Sequence, residues 1–405
     1  MELKTRNVNT AFRDVVSLFS RPDRDIEHGG TSHVIRRNSR NGPVIMIDEP
    51  CLICYDKPVE RVLFNAARDA NPFFHLYEAM WMLAGRSDVA PLAYYVKQFK
   101  EYSDNGVSLN GAYGNRWRSA KVISKFREFE DLTQIGQTVD QLDILVQHLR
   151  ADPDSRRAVL SMWNVEDDLL KIGRKEMRWP DGGLMEPGEV ASKDVCCNLD
   201  VMFSMREVPR SGGIMFFRDP GPNYVLDMTV TNRSNDAVWG MLGANYVHFS
   251  FLQEYMAARL RCGVGRYWQF TNNLHIYTES NSGFKPDKWL AEGDGLNAMP
   301  SMYDRPQGNT FVPLVKDAAV FEKEMPEVAN QFRGTETPVK YGQAMPRVFK
   351  EPFLNDVVRP ALMAFAWWRE ADCQMCLNEA LEWAGSIEAT DWRIACTNWL
   401  NRRIK

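Results

Sequence analysis

With 405 residues, 44% of them hydrophobic, and 49 basic against 53 acidic side chains for a formal charge of -4, the chain has ample material for a buried core and no surplus of cations. That balance excludes a general polyanion binder, because affinity for a phosphate backbone needs many unpaired cations; any phosphate must be bound locally, and no nucleic-acid partner is expected. No run approaches the roughly 20 apolar residues of a membrane span, and the opening MELKTRNVNT lacks the apolar stretch of a secretory signal, so a cytosolic location with no membrane partner is expected.

In chain order, Asn9 to Phe19 reads as a helix, and a polar loop rich in Arg, Asn, Ser and Gly runs from Arg36 to Gly42. The short runs VIMI and LIC read as strands, and NPFFHLYEAMWMLAG carries apolar residues at helical spacing up to a Gly stop. Glu78 lies inside that apolar helix, where an unpaired carboxylate is costly, so a role for it is expected. QLDILVQHLRADPDSRRAVLSMWNV reads as helix, Asp-Pro turn and strand, with the turn delivering Arg156 and Arg157. VCCNLDVMFSM and YVLDMTVTNRS are strand-like, and the Gly/Pro-rich text around them reads as surface insertions at about 170–192 and 206–223. NYVHFSFLQEYMAARLR reads as a long amphipathic helix and YWQFTNNLHIY as strand; residues 279–350 are a polar, Pro-rich elaboration, and 351–395 are mostly helical.

Eight cysteines include two CxxC pairs, Cys51 with Cys54 and Cys373 with Cys376. They stand more than 300 residues apart without neighbouring histidines, so they read as reduced, buried small side chains and no metal is expected.

Each remaining feature is ambiguous by itself, but their order is not. DPDSRRAVLSMWNV, a cysteine opening a strand, RSND, a Gly-rich turn with Asn245, and LHIY together resemble the thymidylate synthase and pyrimidine nucleotide hydroxymethylase superfamily over about residues 36–280. The resemblance implies one α+β domain over 1–405, a large mixed sheet packed by helices whose free face forms a homodimer interface, with residues 279–405 a C-terminal elaboration. It implies a pyrimidine deoxynucleotide monophosphate as substrate and 5,10-methylenetetrahydrofolate as cosubstrate. Joining a one-carbon unit to carbon-5 of a pyrimidine requires a thiolate to add at carbon-6, and cysteine is both nucleophilic near neutral pH and able to leave again. Cys196 and Cys197 point to opposite faces of a strand. The family's spacing of six residues before a strand Phe, here Phe203, selects Cys197, although the Pro and His that usually flank the nucleophile are Cys196 and Asn198.

By the same resemblance Arg40, Arg233, Arg156 and Arg157, with the Ser234 hydroxyl, hold the phosphate, and the DSRR pair serves the partner's site. Asn245 reads the base; an amide suits the uracil edge, whereas relatives acting on cytosine carry a carboxylate there. Its alignment needs one extra residue in GMLGAN. His275 and Tyr277 match the sugar contacts, Asp236 the pterin contact, and Glu78 and Tyr113 the proton-handling network. Trp81 and Phe99 are expected on the folate side.

Two outcomes remain chemically open once the folate has left an exocyclic methylene on the ring. Hydride gives a methyl group; water gives a hydroxymethyl group. Synthases shield that intermediate with a Trp and an apolar C-terminal tail, but here Phe99 stands at the Trp position and the chain ends NWLNRRIK. Hydroxymethylation of dUMP is therefore expected, with thymidylate synthesis as the alternative, and a catalytically inactive nucleotide- or folate-binding homologue as the alternative of another class.

Overall fold

The computed structural model describes residues 1–19, 34–39, 42–125, 134–171, 192–209, 223–279, 302–304, 308–332, 348–370 and 374–404. The amino-terminal part contains β1 (Glu2–Thr5), α1 (Val8–Phe19), β2 (Val34–Ser39), β3 (Gly42–Ile47), β4 (Cys51–Tyr55), α2 (Pro72–Leu83), α3 (Val89–Tyr95), α4 (Phe99–Tyr102) and α5 (Tyr113–Arg118). The middle follows with β5 (Ala120–Lys125), β6 (Gln134–Val139), α6 (Gln141–Ala151), β7 (Val159–Ser161), β8 (Asn198–Glu207), β9 (Tyr224–Asn232), β10 (Asn235–Asp236), α7 (Asn245–Leu260), β11 (Gly263–Thr271) and β12 (Leu274–Tyr277). The C-terminal elaboration supplies α8 (Ala318–Gln331), α9 (Arg359–Arg369), α10 (Gln374–Gly385) and α11 (Thr390–Asn401). Most of both expected insertions, 172–191 and 210–222, and Arg40, lie outside the described residues.

A six-stranded mixed sheet in the order β1-β4-β11-β9-β8-β7 forms the centre, and a four-stranded sheet, β10-β12-β3-β2, stands beside it. The text YWQFTNNLHIY, read as continuous strand, is split at Asn272–Asn273 between the two sheets. Strand alternation divides the large sheet cleanly. Leu160, Val201, Val230, Gln269 and Ile53, opposite one another across five strands, are all buried. The neighbouring row contains Val159, Met202, Thr229 and Trp268; Val159 and Met202 are 46% and 40% exposed.

Two helices fill the centre of the helical layer. Asn71 caps α2 by accepting from the Phe74 N–H at 3.1 Å, Pro72 occupies its first turn, and all of its residues are buried, as an apolar surface around the whole helix requires. Helix α7 is buried around most of its circumference rather than amphipathic, because the sheet covers one side and α2 the other. One contiguous core runs from Val8 to Leu400, so the last helix packs into the same interior as the first. Cys51 and Cys54 sit in β4, their thiols pushed up to about 11 by burial. Among the described residues no helix is long and apolar enough to cross a membrane.

Candidate active site

The two adjacent cysteines occupy different environments. Cys196 is 1% exposed, its amide donates to Asp168 at 3.1 Å, its Sγ lies 3.7 Å from the Gly111 carbonyl, and burial drives its thiol far up. Cys197, immediately before β8, is half-buried. Arg233 clamps this segment: Nε donates to the Cys196 carbonyl at 2.8 Å, Nη2 to the Val195 carbonyl at 3.0 Å, and Nη2 also stands 3.5 Å from Cys197 Sγ. A guanidinium beside an accessible sulfur is the neighbour that reactive thiolates have.

Arg233 and Ser234 form the turn from β9 into β10, whose two residues pair in parallel with β12 and set Asp236 opposite His275. Asp236 Oδ1 accepts from the amides of Val238 and Trp239 at 2.8 and 2.5 Å, while Oδ2 is buried without a hydrogen-bond partner among the described residues. Burial holds the Asp236 carboxyl above its usual range and the His275 imidazole below its own. Tyr277 follows on the same strand, its ring 5.2 Å from that of His275.

The extra residue in GMLGAN is taken up by the helix itself. Ala237–Ala244 is π-helical, with a break at Gly243, and a π turn holds one more residue than an α turn. Asn245 emerges at the start of α7 with its Nδ2 donating to Asn235 Oδ1 at 3.1 Å; a side chain at Gly240 would collide with that Asn235 oxygen.

Glu78 is 5% exposed on α2, and burial raises its carboxyl well above the ordinary range. Tyr113 opens α5 within electrostatic range of both cysteines, and burial raises its phenol strongly. Phe99 packs between Phe74 and Tyr102, at centroid distances of 5.3 and 5.8 Å. Trp81, expected on the folate side, is 1% exposed, its indole N–H bonded to Asp88; this ring belongs to the core beneath the site rather than to its wall.

Arg156 and Arg157 are exposed just before β7. Because Val159 pairs with Met202, they lie level with the far end of β8, roughly 23 Å along the strand from Cys197. The structure does not bring them to the sulfur of their own chain. Arg156 opens instead onto a cavity of about 330 Å³ lined by Met202, Phe203 and Met205.

Sequence reading missed Arg68, Trp239, Tyr102 and His248. Arg68 Nε donates to the Val238 carbonyl at 2.9 Å and its guanidinium stacks on Trp239 at 3.8 Å; burial lowers it to about 10. The next residue, Asp69, is gripped by Arg402 and Arg403, and Arg403 lies 3.6 Å over Trp399, so the cationic C-terminus is anchored beside the segment that carries Arg68. Tyr102 is 45% exposed and within electrostatic range of Tyr277. His248, an imidazole three residues after Asn245 in an apolar run, reads in the sequence as a core residue.

The thymidylate synthase family model matches residues 67–287, the span holding these groups except Trp399, Arg402 and Arg403. The chain belongs to the thymidylate synthase family. It is 34% identical over 402 residues, 99% of its length and 94% of the relative's, to a deoxyuridylate hydroxymethyltransferase of Pseudomonas phage M6. A deoxyuridylate hydroxymethyltransferase of Bacillus phage SP01 is 35% identical over 231 residues, 57% of this chain and 50% of that protein. The match to the first relative covers 402 of the 405 residues and so takes in the C-terminal elaboration.

Proposed function

We propose that this family member is a deoxyuridylate hydroxymethyltransferase, converting dUMP to 5-hydroxymethyl-dUMP with methylenetetrahydrofolate as the one-carbon donor. The observation that carries the reading is the similarity to the phage M6 enzyme over 99% of the chain. The geometry agrees with it. Cys197, beside Arg233, adds to carbon-6 of the pyrimidine and leaves at the end. Arg233, Ser234 and Arg40 bind the phosphate, joined by Arg156 and Arg157 of the second protomer. Asn245, its amide oriented by Asn235, reads the uracil edge, and His275 and Tyr277 hold the sugar.

The folate supplies the carbon unit; its residues here are Asp236, whose buried Oδ2 suits ring N–H donors, and the Phe99 wall, with Trp239 stacked on Arg68 nearby. Glu78 and Tyr113 handle the protons of the pyrimidine, Glu78 being kept protonated by its dry surroundings. The outcome with water rather than hydride is supported by Phe99 in place of the family's Trp and by the similarity to the phage M6 enzyme.

Distance and surface support the sharing of sites. Arg156 and Arg157 are out of reach of their own Cys197, and the sheet row through Val159, Met202, Thr229 and Trp268 offers a partly apolar face through which two copies pair.

Product analysis tests the activity. With dUMP and methylenetetrahydrofolate the product should gain a hydroxymethyl group by mass spectrometry while dihydrofolate absorbance stays flat. A stoichiometric rise in dihydrofolate with dTMP as product would replace this reading with thymidylate synthesis, and absence of any product would leave a binding protein.

A further inference from the structure

Helices α2 and α7 each carry two polar side chains three residues apart, and hence on one face: His75 and Glu78 on α2, Asn245 and His248 on α7. Where the helices pack, His248 Nε2 lies 3.2 Å from Glu78 Oε2, with the residues 2% and 5% exposed. Neither atom completes an aligned hydrogen bond to a described residue, and neither does His248 Nδ1. Polar atoms kept dry in this way cost stability, and they sit on the two helices that carry the base reader and the site's buried carboxyl.

We propose that His248 is a positioning residue for Glu78, the two side chains sharing one transferable proton between Oε2 and Nε2. The inference rests on the reading above, in which Glu78 handles the protons of the pyrimidine. When Glu78 receives the proton that water loses as its oxygen bonds to the exocyclic carbon, His248 holds the proton of the carboxyl's other oxygen, so the acceptor is a carboxylate. Over the full reaction carbon-5 and water each give up one proton and the two nitrogens of the departing tetrahydrofolate take up two. The pair therefore ends with the proton it began with.

The surroundings set the resting state of the pair, from which the proton moves to His248 only as Glu78 takes up the one from water. Burial pushes Glu78 up and His248 down, so a proton on the carboxyl and a neutral imidazole form the resting state. His75, whose ring is 6.3 Å from that of His248, is driven down to about 3 by burial and the Arg68 charge, and stays neutral at working pH. Tyr113 on α5 packs against Phe249, next to His248 in sequence, and its raised phenol stays protonated. The family's histidine after the nucleophile is Asn198 here, so α7 supplies the imidazole from the opposite wall.

The test compares wild type, His248→Gln, Glu78→Gln and the double variant in pH profiles of kcat and KM, with dUMP binding followed by calorimetry. Glutamine fills much of the imidazole's space and can donate, but it cannot take a proton. His248→Gln should lower kcat about tenfold or more with dUMP affinity kept within about twofold, and should move the alkaline limb to lower pH because the amide favours the carboxylate. The double variant should be no slower than Glu78→Gln alone. An unchanged pH profile, or losses that add, would overturn the proposal.

Nitrogen NMR of labelled histidine decides the matter if His248→Gln does not fold. Glu78→Gln should then shift the His248 Nε2 resonance and leave His75 in place; an unmoved His248 signal would also overturn the proposal. Wild-type enzyme that made no hydroxymethyl product would count against the proposed function, whereas the NMR coupling would still report on the pair.

Discussion

The two regions from which the proposed site draws its residues are built on opposite physical terms. The sheet wall, with Cys197, Arg233 and Tyr277, leaves its chemistry half-exposed and beside a cation. The helix wall, with Glu78, His75 and His248, is dry, and burial drives its titratable groups toward their neutral forms. Covalent capture of an anionic nucleotide needs an accessible sulfur and positive charge; moving protons about the ring needs groups that do not ionise permanently. On the proposed reading, wetness on one wall and dryness on the other separate the two tasks.

The sharpest break of that contrast is at the cysteines. Cys197→Ser should lower turnover by about 10⁴-fold or more while dUMP still binds, since the hydroxyl keeps the shape but not the nucleophilicity. Cys196→Ser, on the buried side of the same segment, should leave kcat within about threefold, measured in the same product assay. A dead Cys196 variant beside an active Cys197 variant would reverse the assignment of the walls.

If the wet wall is completed by a second protomer, two inactive chains should rescue one another. Mixing Arg156→Ala with Cys197→Ser protein under conditions that reassort subunits should restore about a quarter of wild-type activity, because half the dimers are hybrids and each hybrid has one intact site. Recovery absent despite hybrids seen by native mass spectrometry would mean that the arginines do not cross.

At the junction of the walls, Asn245→Asp should reduce kcat/KM for dUMP by about 100-fold and move preference toward dCMP, because a carboxyl pairs with the cytosine edge where the amide does not. Asn235→Ala, which frees the Asn245 amide without touching the base, should lose discrimination by about tenfold. Competition kinetics with both nucleotides reads both variants, and an Asn245→Asp enzyme with unaltered preference would remove Asn245 as the base reader.

The wet wall was the more legible of the two from sequence, because its residues lie in short motifs whose order is distinctive, whereas Asp236 facing His275 appears only once β10 and β12 are seen to pair. The dry wall depends on contacts between helices that no local pattern announces. His248 in an apolar run reads as one more core residue until Glu78 is found 3.2 Å away, across a separation of 170 positions. The grip of Arg402 and Arg403 on Asp69 joins residues 333 and 334 apart. The π-helical turn that absorbs the extra residue before Asn245 was visible only as an awkward alignment, because apolar and glycine text is equally compatible with an α turn.

The smallest effect expected is on stability, and it probes the dryness of the helix wall directly. His75 has an ordinary value of 6.5 in the unfolded chain and about 3 when folded, so below pH 6.5 the unfolded chain binds a proton that the native state refuses. Stability from this group is therefore complete well above 6.5 and is lost as pH falls toward 3, amounting to about 1.6 kcal/mol between pH 6.5 and 5. His248 is depressed for the same reason and adds to the slope. Chemical denaturation of wild type and His75→Gln at those two pH values should give a difference that is smaller in the variant by about that amount, whatever the variant's own baseline. Equal slopes would mean that His75 already carries its proton in the native state, and the helix wall would then be a wet, charged surface like the one opposite.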